Sequence, residues 1–304
     1  MKSPKSIVNR LKQAVSTIFK ISEQLDEIKI NQGLLLCALN EQKASRNLRD
    51  YEFKVFSQWG EDGIIQRLIG AVELGDKTFI EFGVEDFSES NCRYLLMKDN
   101  WRGLVIDGSA ANIERLKASY FFWRHHLLAI QAFITRDNIN DLLAQSGFGE
   151  DLGILSVDID GNDYHVLEQI TFFKPRILIC EYNSVFGASR KITVPYDPDF
   201  VRGKKHHSNL YWGASLAAMA YLANKRGYSL VGTNTASNNA FFVRNDLLNH
   251  KLEVLRPEQA YLPSLYRESR DERGALSYVG AEARLALIRG LPVVNVETSA
   301  IEVL

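Results

Sequence analysis

The chain has 304 residues, with 36 Lys and Arg against 37 Asp and Glu, a net charge of −1, and 46% apolar residues. That length accommodates one large domain or a domain with an appendage, and the near-neutral balance lacks the basic footprint of a nucleic-acid binder. Cys37, Cys92 and Cys180 are too far apart for metal-type spacing and suit a reducing, cytoplasmic setting.

The first segment, residues 1–50, reads as a helical arm. Leu11, Ile18 and Leu25 recur every seven residues, as do Ala14, Ile21, Ile28 and Leu35 beside them, with Gln32 as one polar member of the seam. This spacing predicts a coiled coil through which copies of the chain self-associate, or else an amphipathic helix folded back on its own domain. The longest early apolar run, Leu34–Leu39, is far short of a membrane span, and no signal peptide is expected.

Residues 51–250 alternate between strand and helix signals. A helix is expected in the second half of Tyr51–Gly70, preceded by the polar run Ser57–Gly63. Apolar runs then predict strands at 79–82, 104–107, 127–131, 154–158 and 177–181, with helices at 91–98, 111–118, 139–144, 165–170 and 214–226 between or after them. Two further strands, 229–232 and 240–243, are joined by an Asn/Ser-rich turn and read as an antiparallel hairpin. The expected fold is α/β: a Rossmann-like, doubly wound, mostly parallel seven-stranded sheet with a C-terminal antiparallel hairpin. The interruption at 186–210 reads as a substrate lid. The tail, 251–304, shows no clean alternation and reads as a C-terminal extension.

Two of the strands end in acids. Thr78-Phe-Ile-Glu81-Phe-Gly83 closes on a glycine two residues past its acid, and Gly103-Leu-Val-Ile-Asp107-Gly108 follows about twenty residues later. In a doubly wound sheet the first loop passes under a nucleoside cofactor and the second acid meets the ribose hydroxyls. The glycine pattern of a nicotinamide site is absent. Asp158, Asp160 and Asp163 crowd the end of the fourth strand, and Glu181 and Asn183 the end of the fifth. Oxygen ligands of that kind suit Mg²⁺ or Ca²⁺, although acids there also turn the chain and cap the next helix.

The segments Ile80–Glu85, Val105–Asp107, Ser156–Gly161 and Ile179–Glu181 resemble the FkbM-like branch of S-adenosylmethionine-dependent methyltransferases, over about residues 55–245. The first loop departs from that superfamily's glycine-rich pattern, since Val84, Glu85, Asp86 and Phe87 follow Gly83. The resemblance implies S-adenosylmethionine as cofactor, with Gln58, Glu81, Gly83, Asp107, Ala132, Phe133 and Asp158 around it. It implies methyl transfer to a hydroxyl, read here as a sugar hydroxyl of a glycan or glycoside. Asp158, Asp160, Glu181 and Asn183 resemble the Mg²⁺ set of cation-dependent O-methyltransferases. His165, His206 and His207 are the candidate proton acceptors, Tyr211 and Trp212 candidate platforms for a sugar face, and Arg202, Lys204 and Lys205 a candidate attraction for an acidic glycan. The competing readings are a non-catalytic scaffold on the same fold and another cation-dependent sugar-modifying enzyme.

Overall fold

A computed structural model describes residues 4–265 and 267–304, with the side chains of residue 17 and of residues 20–265, 267–280 and 282–304. Elements follow in chain order: α1 (Pro4–Glu41), α2 (Glu61–Ala71), β1 (Thr78–Phe82), α3 (Arg93–Asp99), β2 (Arg102–Asp107), α4 (Ala110–Lys117), β3 (Leu127–Gln131), α5 (Ile139–Ala144), β4 (Ile154–Val157), α6 (Asp163–Gln169) and β5 (Ile177–Glu181). Then come β6 (Ile192–Thr193), α7 (Arg202–Lys205), α8 (Leu216–Lys225), β7 (Tyr228–Thr233), β8 (Asn239–Arg244), α9 (Pro257–Ala260), α10 (Ala281–Ile288), β9 (Pro292–Asn295) and β10 (Ile301–Val303).

The main sheet has the order β3-β2-β1-β4-β5-β8-β7. The first five strands run parallel, and β8 is antiparallel to both β5 and β7. This is the expected Rossmann-like sheet with its terminal hairpin. Every residue of β1, β4 and β5 is buried, as strands covered on both faces require. The edge strand β3 alternates instead, with Leu127 and Ala129 inward. One large core lies on each side of the sheet. Ile80, Leu104, Leu155 and Phe242 build one, and Phe79, Val105, Ile179 and Phe241 the other. Helix starts are capped locally: Ser109 accepts from Asn112 at α4, and Ser215 from Ala218 at α8.

The tail, which shows no clean alternation in sequence, carries regular elements. Its β9 pairs with β10 on one side and with β6 of the 186–210 insert on the other, making a separate three-stranded antiparallel sheet. The two segments share a core containing Phe186, Ile192, Phe200, Tyr211, Trp212, Ile288 and Val293. Tyr211 and Trp212 are therefore packing residues. Both are buried there, and the Arg202 guanidinium covers the Trp212 ring at 4.7 Å.

Helix α1 docks on the domain by a stripe that the heptad reading does not contain. Asp26, Ile30, Gly33, Cys37 and Asn40 face inward. Asp26 Oδ2 accepts from Arg93 at 2.6 Å and from the Tyr120 hydroxyl at 2.8 Å. Ile30, Leu36 and Cys37 pack against the cluster of Phe53, Val55, Phe56 and Tyr94. Gly33 is needed for the close approach, because a Cβ there would meet the Tyr94 hydroxyl at 2.5 Å. Of the expected seam, Ile21, Leu25, Ile28 and Leu35 are exposed. The side chains of Leu11, Ala14 and Ile18 lie outside the described residues. No helix among the described residues is long and apolar enough to cross a membrane.

Candidate functional site

The order of the parallel strands reverses between β1 and β4, and a cavity of about 380 Å³ opens there at their carboxyl ends. This is where a doubly wound sheet leaves a crevice, because successive crossovers diverge to opposite faces. The cavity is of ligand size.

Its walls come from successive loops. The loop after β1 contributes Gly83, Glu85, Glu89, Ser90 and Asn91, and the end of β2 contributes Asp107 and Gly108. Ala132, Phe133 and Ile134 follow β3, and Asp158, Ile159, Asp160 and Asn162 follow β4. Glu181 ends β5, Asn239 starts β8, Gln58 comes from the segment before α2, and the insert supplies Phe200 and Arg202.

The two loops nearest the reversal are held in unusual backbone conformations. Gly83, Glu85, Phe87 and Asp160 have φ of 65°, 50°, 64° and 57°. Left-handed conformations at acids and an aromatic are uncommon and persist only where surroundings over-determine them. The carboxylates are among those surroundings. Asp107 Oδ2 accepts from the Glu85 amide, and Oδ1 from the Ser109 amide and the Asn112 side chain. Glu81 accepts from Ser90 Oγ and from the Asn91 and Cys92 amides, which closes the loop onto the start of α3. Burial raises the Glu81 pKa, opposed by these donors. Gly83 serves the protein's own packing: a Cβ there would sit 1.8 Å from the carbonyl oxygen of Asp158.

Beyond them lies the acidic group. One carboxylate oxygen each from Asp158, Asp163 and Glu181 lie within 4.8 Å of one another. Burial first, then Asp160 and Asp163, push Asp158 well above the ordinary carboxylate range. Burial and then Asp158 do the same to Glu181, with Arg202 opposing. Burial raises Asp163 to about 6, although the Ile159 and Gly161 amides hydrogen-bond its two oxygens. Glu181 Oε2, Asn162 Oδ1 and Asn239 Oδ1 are buried without a hydrogen-bond partner, and all three residues line the cavity. Buried acceptors left open in this way call for a donor or a cation from a ligand.

The expected site residues fall into two groups. Gln58, Glu81, Gly83, Asp107, Ala132, Phe133, Asp158, Asp160 and Glu181 come together around one cavity. Asn183, His165, His206 and His207 do not line it. The Asn183 amide is consumed in the fold: Nδ2 donates to the carbonyls of Leu210 and Trp212, and Oδ1 accepts from Val185. His165 Nε2 lies 2.8 Å from the Val194 carbonyl, with the ring against Tyr164 and Tyr196. Burial lowers its pKa. His206 contacts Ser208 and stacks beside His207 at the end of α7. Asp160 is exposed and pairs with Arg202 at 2.8 Å; it lies near enough to raise Asp158 and Glu181, but the three clustered carboxylates are Asp158, Asp163 and Glu181. The insert reaches the cavity as a lid would, through Phe200 and Arg202. Among the described residues Arg202 is the one basic side chain in a lining that holds Glu81, Glu85, Glu89, Asp107, Asp158, Asp160 and Glu181. That lining opposes the attraction expected for an acidic glycan. Lining residues to which the sequence reading gave no part include Asn91, Asn239 and Phe200, and Asn162 entered it only as a member of the acidic turn.

No family model matches the chain, and no curated protein matches it. Solved structures that resemble it include a putative caffeoyl-CoA O-methyltransferase from Staphylococcus aureus, at 14% identity over 55% of this chain and 75% of that one, TM-score 0.37. An O-methyltransferase from Bacillus cereus in complex with SAH resembles it at 10% identity over 70% and 88%, TM-score 0.36. An SAH-bound methyltransferase from Podospora anserina does so at 11% identity over 55% and 71%, TM-score 0.37. At these scores the likeness carries no argument about activity.

Proposed function

We propose that the chain is an S-adenosylmethionine-dependent methyltransferase that methylates a hydroxyl, with a sugar hydroxyl of a glycan or glycoside as acceptor. The observation that carries the reading is Asp107: a carboxylate at the end of β2, on the cavity wall between the loops after β1 and β3, whose Oδ2 accepts a single hydrogen bond, from the Glu85 amide, and keeps acceptor capacity for a ligand. That is where a doubly wound sheet meets a ribose diol. Phe133, exposed at the rim, offers a face to adenine beside Ala132. The acidic lining favours a ligand that carries a sulfonium and an ammonium group. Glu81 is buried and already accepts three hydrogen bonds, so its part is to fix the loop that contacts the methionine portion, reaching the amino group through water.

The acceptor occupies the far end, beside Asp158, Asn162, Glu181 and Asn239. The open oxygens there suit a ligand rich in hydroxyl donors, which is the support for a sugar. Arg202, fixed by Asp160 and the Asn209 carbonyl, and Phe200 bound this end. The donor set of Asp158, Asp163 and Glu181 fits a hard divalent cation such as Mg²⁺: all ligands are oxygens, closely grouped, with Glu181 Oε2 unpartnered. When bound, that ion would acidify the acceptor hydroxyl and fix its direction. Methyl transfer then asks the protein for alignment and for exclusion of water, which the two over-determined loops and the insert supply. The FkbM-like assignment and cytoplasmic location belong to the same proposal.

The test is product mass after incubation with S-adenosylmethionine and a panel of nucleotide sugars and oligosaccharides. A gain of one methyl group on an acceptor, abolished in Asp158→Asn, is expected. Cofactor binding with no methylated product across the panel, with and without Mg²⁺, would remove the glycan reading.

A further inference from the structure

From Ile21 to Leu39, the outward face of α1 is an apolar seam that no other described residue covers. Counting from the expected repeat, positions 7, 11, 14, 18, 21, 25, 28, 32, 35 and 39 carry Ile7, Leu11, Ala14, Ile18, Ile21, Leu25, Ile28, Gln32, Leu35 and Leu39. The spacing alternates four and three throughout, and no position is charged. Where side chains are described, the apolar members are open to solvent: Leu25 is 52% exposed, Ile28 61%, Leu35 68% and Leu39 59%. The docking stripe, Asp26, Ile30, Gly33, Cys37 and Asn40, accounts for the other side of the helix. At about 100° per residue the two stripes are separated by about 140° around the axis. Binding to the domain therefore leaves the seam free.

We propose that this seam is covered by α1 of another copy of the same chain, in a parallel, in-register bundle. Three features select that occupant. The repeat is a heptad, which only a second helix of matching repeat fills along its length, by knobs into holes. The single polar seam residue is Gln32. In parallel register it meets its own counterpart, amide to amide, whereas an antiparallel pairing centred on the seam would set it near Ala14 and bury an open amide. Of the flanking positions 8, 10, 15, 17, 22, 24, 29, 31, 36 and 38, only Arg10 and Lys29 are charged, and in parallel register they face Val15 and Gln24 of the other copy, so copies are not held apart by like charges.

The strip is smaller than a standard interface face but of the same order. Positions 7 to 39 span about 48 Å at 1.5 Å per residue, and a contact strip about 10–12 Å wide then covers roughly 500 Å² in projection. That is of the order of the roughly 800 Å² of accessible surface that a stable partner buries. Because each domain sits on the far stripe, two domains lie on opposite sides of the bundle and do not collide there. No residue of α1 lines the cavity, so this association stands or falls independently of the proposed chemistry.

The test uses the full chain. Light scattering with size-exclusion chromatography, at about 1 to 100 µM, should give at least twice the monomer mass. The double variant Ile28→Glu/Leu35→Glu should give the monomer mass, with unchanged near-ultraviolet circular dichroism because both positions are exposed. Gln32→Cys should form an intermolecular disulfide across the seam under mild oxidation, in a Cys37→Ser background. A monomeric wild type at 100 µM, or a double variant of unchanged mass, would overturn the proposal. An oligomer in which the Gln32→Cys variant forms no cross-link would overturn the parallel register.

Discussion

Gly83 and Asp158 are locked together: a Cβ on Gly83 would lie 1.8 Å from the Asp158 carbonyl oxygen, and the Gly83 φ is 65°. The contact joins the loop after β1 to the loop after β4 across the strand-order reversal. The space is denied to any other residue, and the left-handed backbone adds a cost for one with a Cβ. Gly83→Ala should therefore cost about 2–4 kcal/mol, a fall in melting temperature of roughly 4–16 °C. Thermal denaturation checks it, and a change under about 1 °C would show that the loops are free to separate.

Asp62 makes stability depend on acid. Its Oδ2 accepts from the Val55, Phe56 and Ser57 amides and from Ser57 Oγ, while burial still raises its pKa to about 6. The folded chain thus holds a proton that the unfolded chain, with its ordinary carboxyl near 4, has released. The resulting stabilisation is fully present below about pH 4 and is lost as pH rises through about 6. Its size is on the order of 2–3 kcal/mol. Asp62→Asn should flatten that part of the stability curve, measured by denaturant unfolding between pH 4 and 7. A slope identical to wild type would show that Asp62 does not titrate in this window.

The acidic group is tested through Glu181, whose Oε2 has no partner. Wild-type chain should bind Mg²⁺ in a calorimeter, and Glu181→Gln should weaken that binding by at least about tenfold, because a charged oxygen ligand becomes a neutral amide. Wild-type chain that takes up neither Mg²⁺ nor Mn²⁺ would rule out the metal.

The Asp26–Arg93 pair, at 2.6 Å with each side chain 9% exposed, fastens α1 to the domain. The guanidinium also lies over Phe56 and Phe121, at 4.2 and 4.6 Å. Asp26→Ala leaves that cation buried without its counter-charge, which costs about 3 kcal/mol. Hydrogen exchange across residues 23–41 should accelerate by roughly 100-fold, while β1, β4 and β5 stay protected. Unchanged exchange would show that apolar contacts alone hold the helix.

Much of this was legible in the residues. The strands β1, β2, β4 and β5 are apolar runs with acids at or just beyond their ends, and the turn before Asn239 marks the hairpin. What stayed hidden has identifiable causes. β6, β9 and β10 are only two to four residues long, too short for a local period to announce them, and β6 finds β9 across about a hundred positions. The docking stripe of α1 breaks its apolar members, Ile30 and Cys37, with Asp26, Gly33 and Asn40, and the regular apolar period pointed to the other face. His165 follows the acidic Asp163 by two residues, but two steps of helix turn it by about 200°, toward the Val194 carbonyl. Asn239 and Phe200 reach the cavity only through tertiary folding.

Cofactor binding is the most direct measurement: calorimetric titration of the folded chain with S-adenosylmethionine and S-adenosylhomocysteine, repeated for Asp107→Ala with its fold checked by circular dichroism. The expected result is saturable one-to-one binding by the wild type, a stabilisation of about 2.7 kcal/mol at one hundred times the dissociation constant, and an affinity at least about tenfold weaker in the variant. A folded wild type that binds neither compound at millimolar concentration, or a variant that binds as tightly as the wild type, would contradict it.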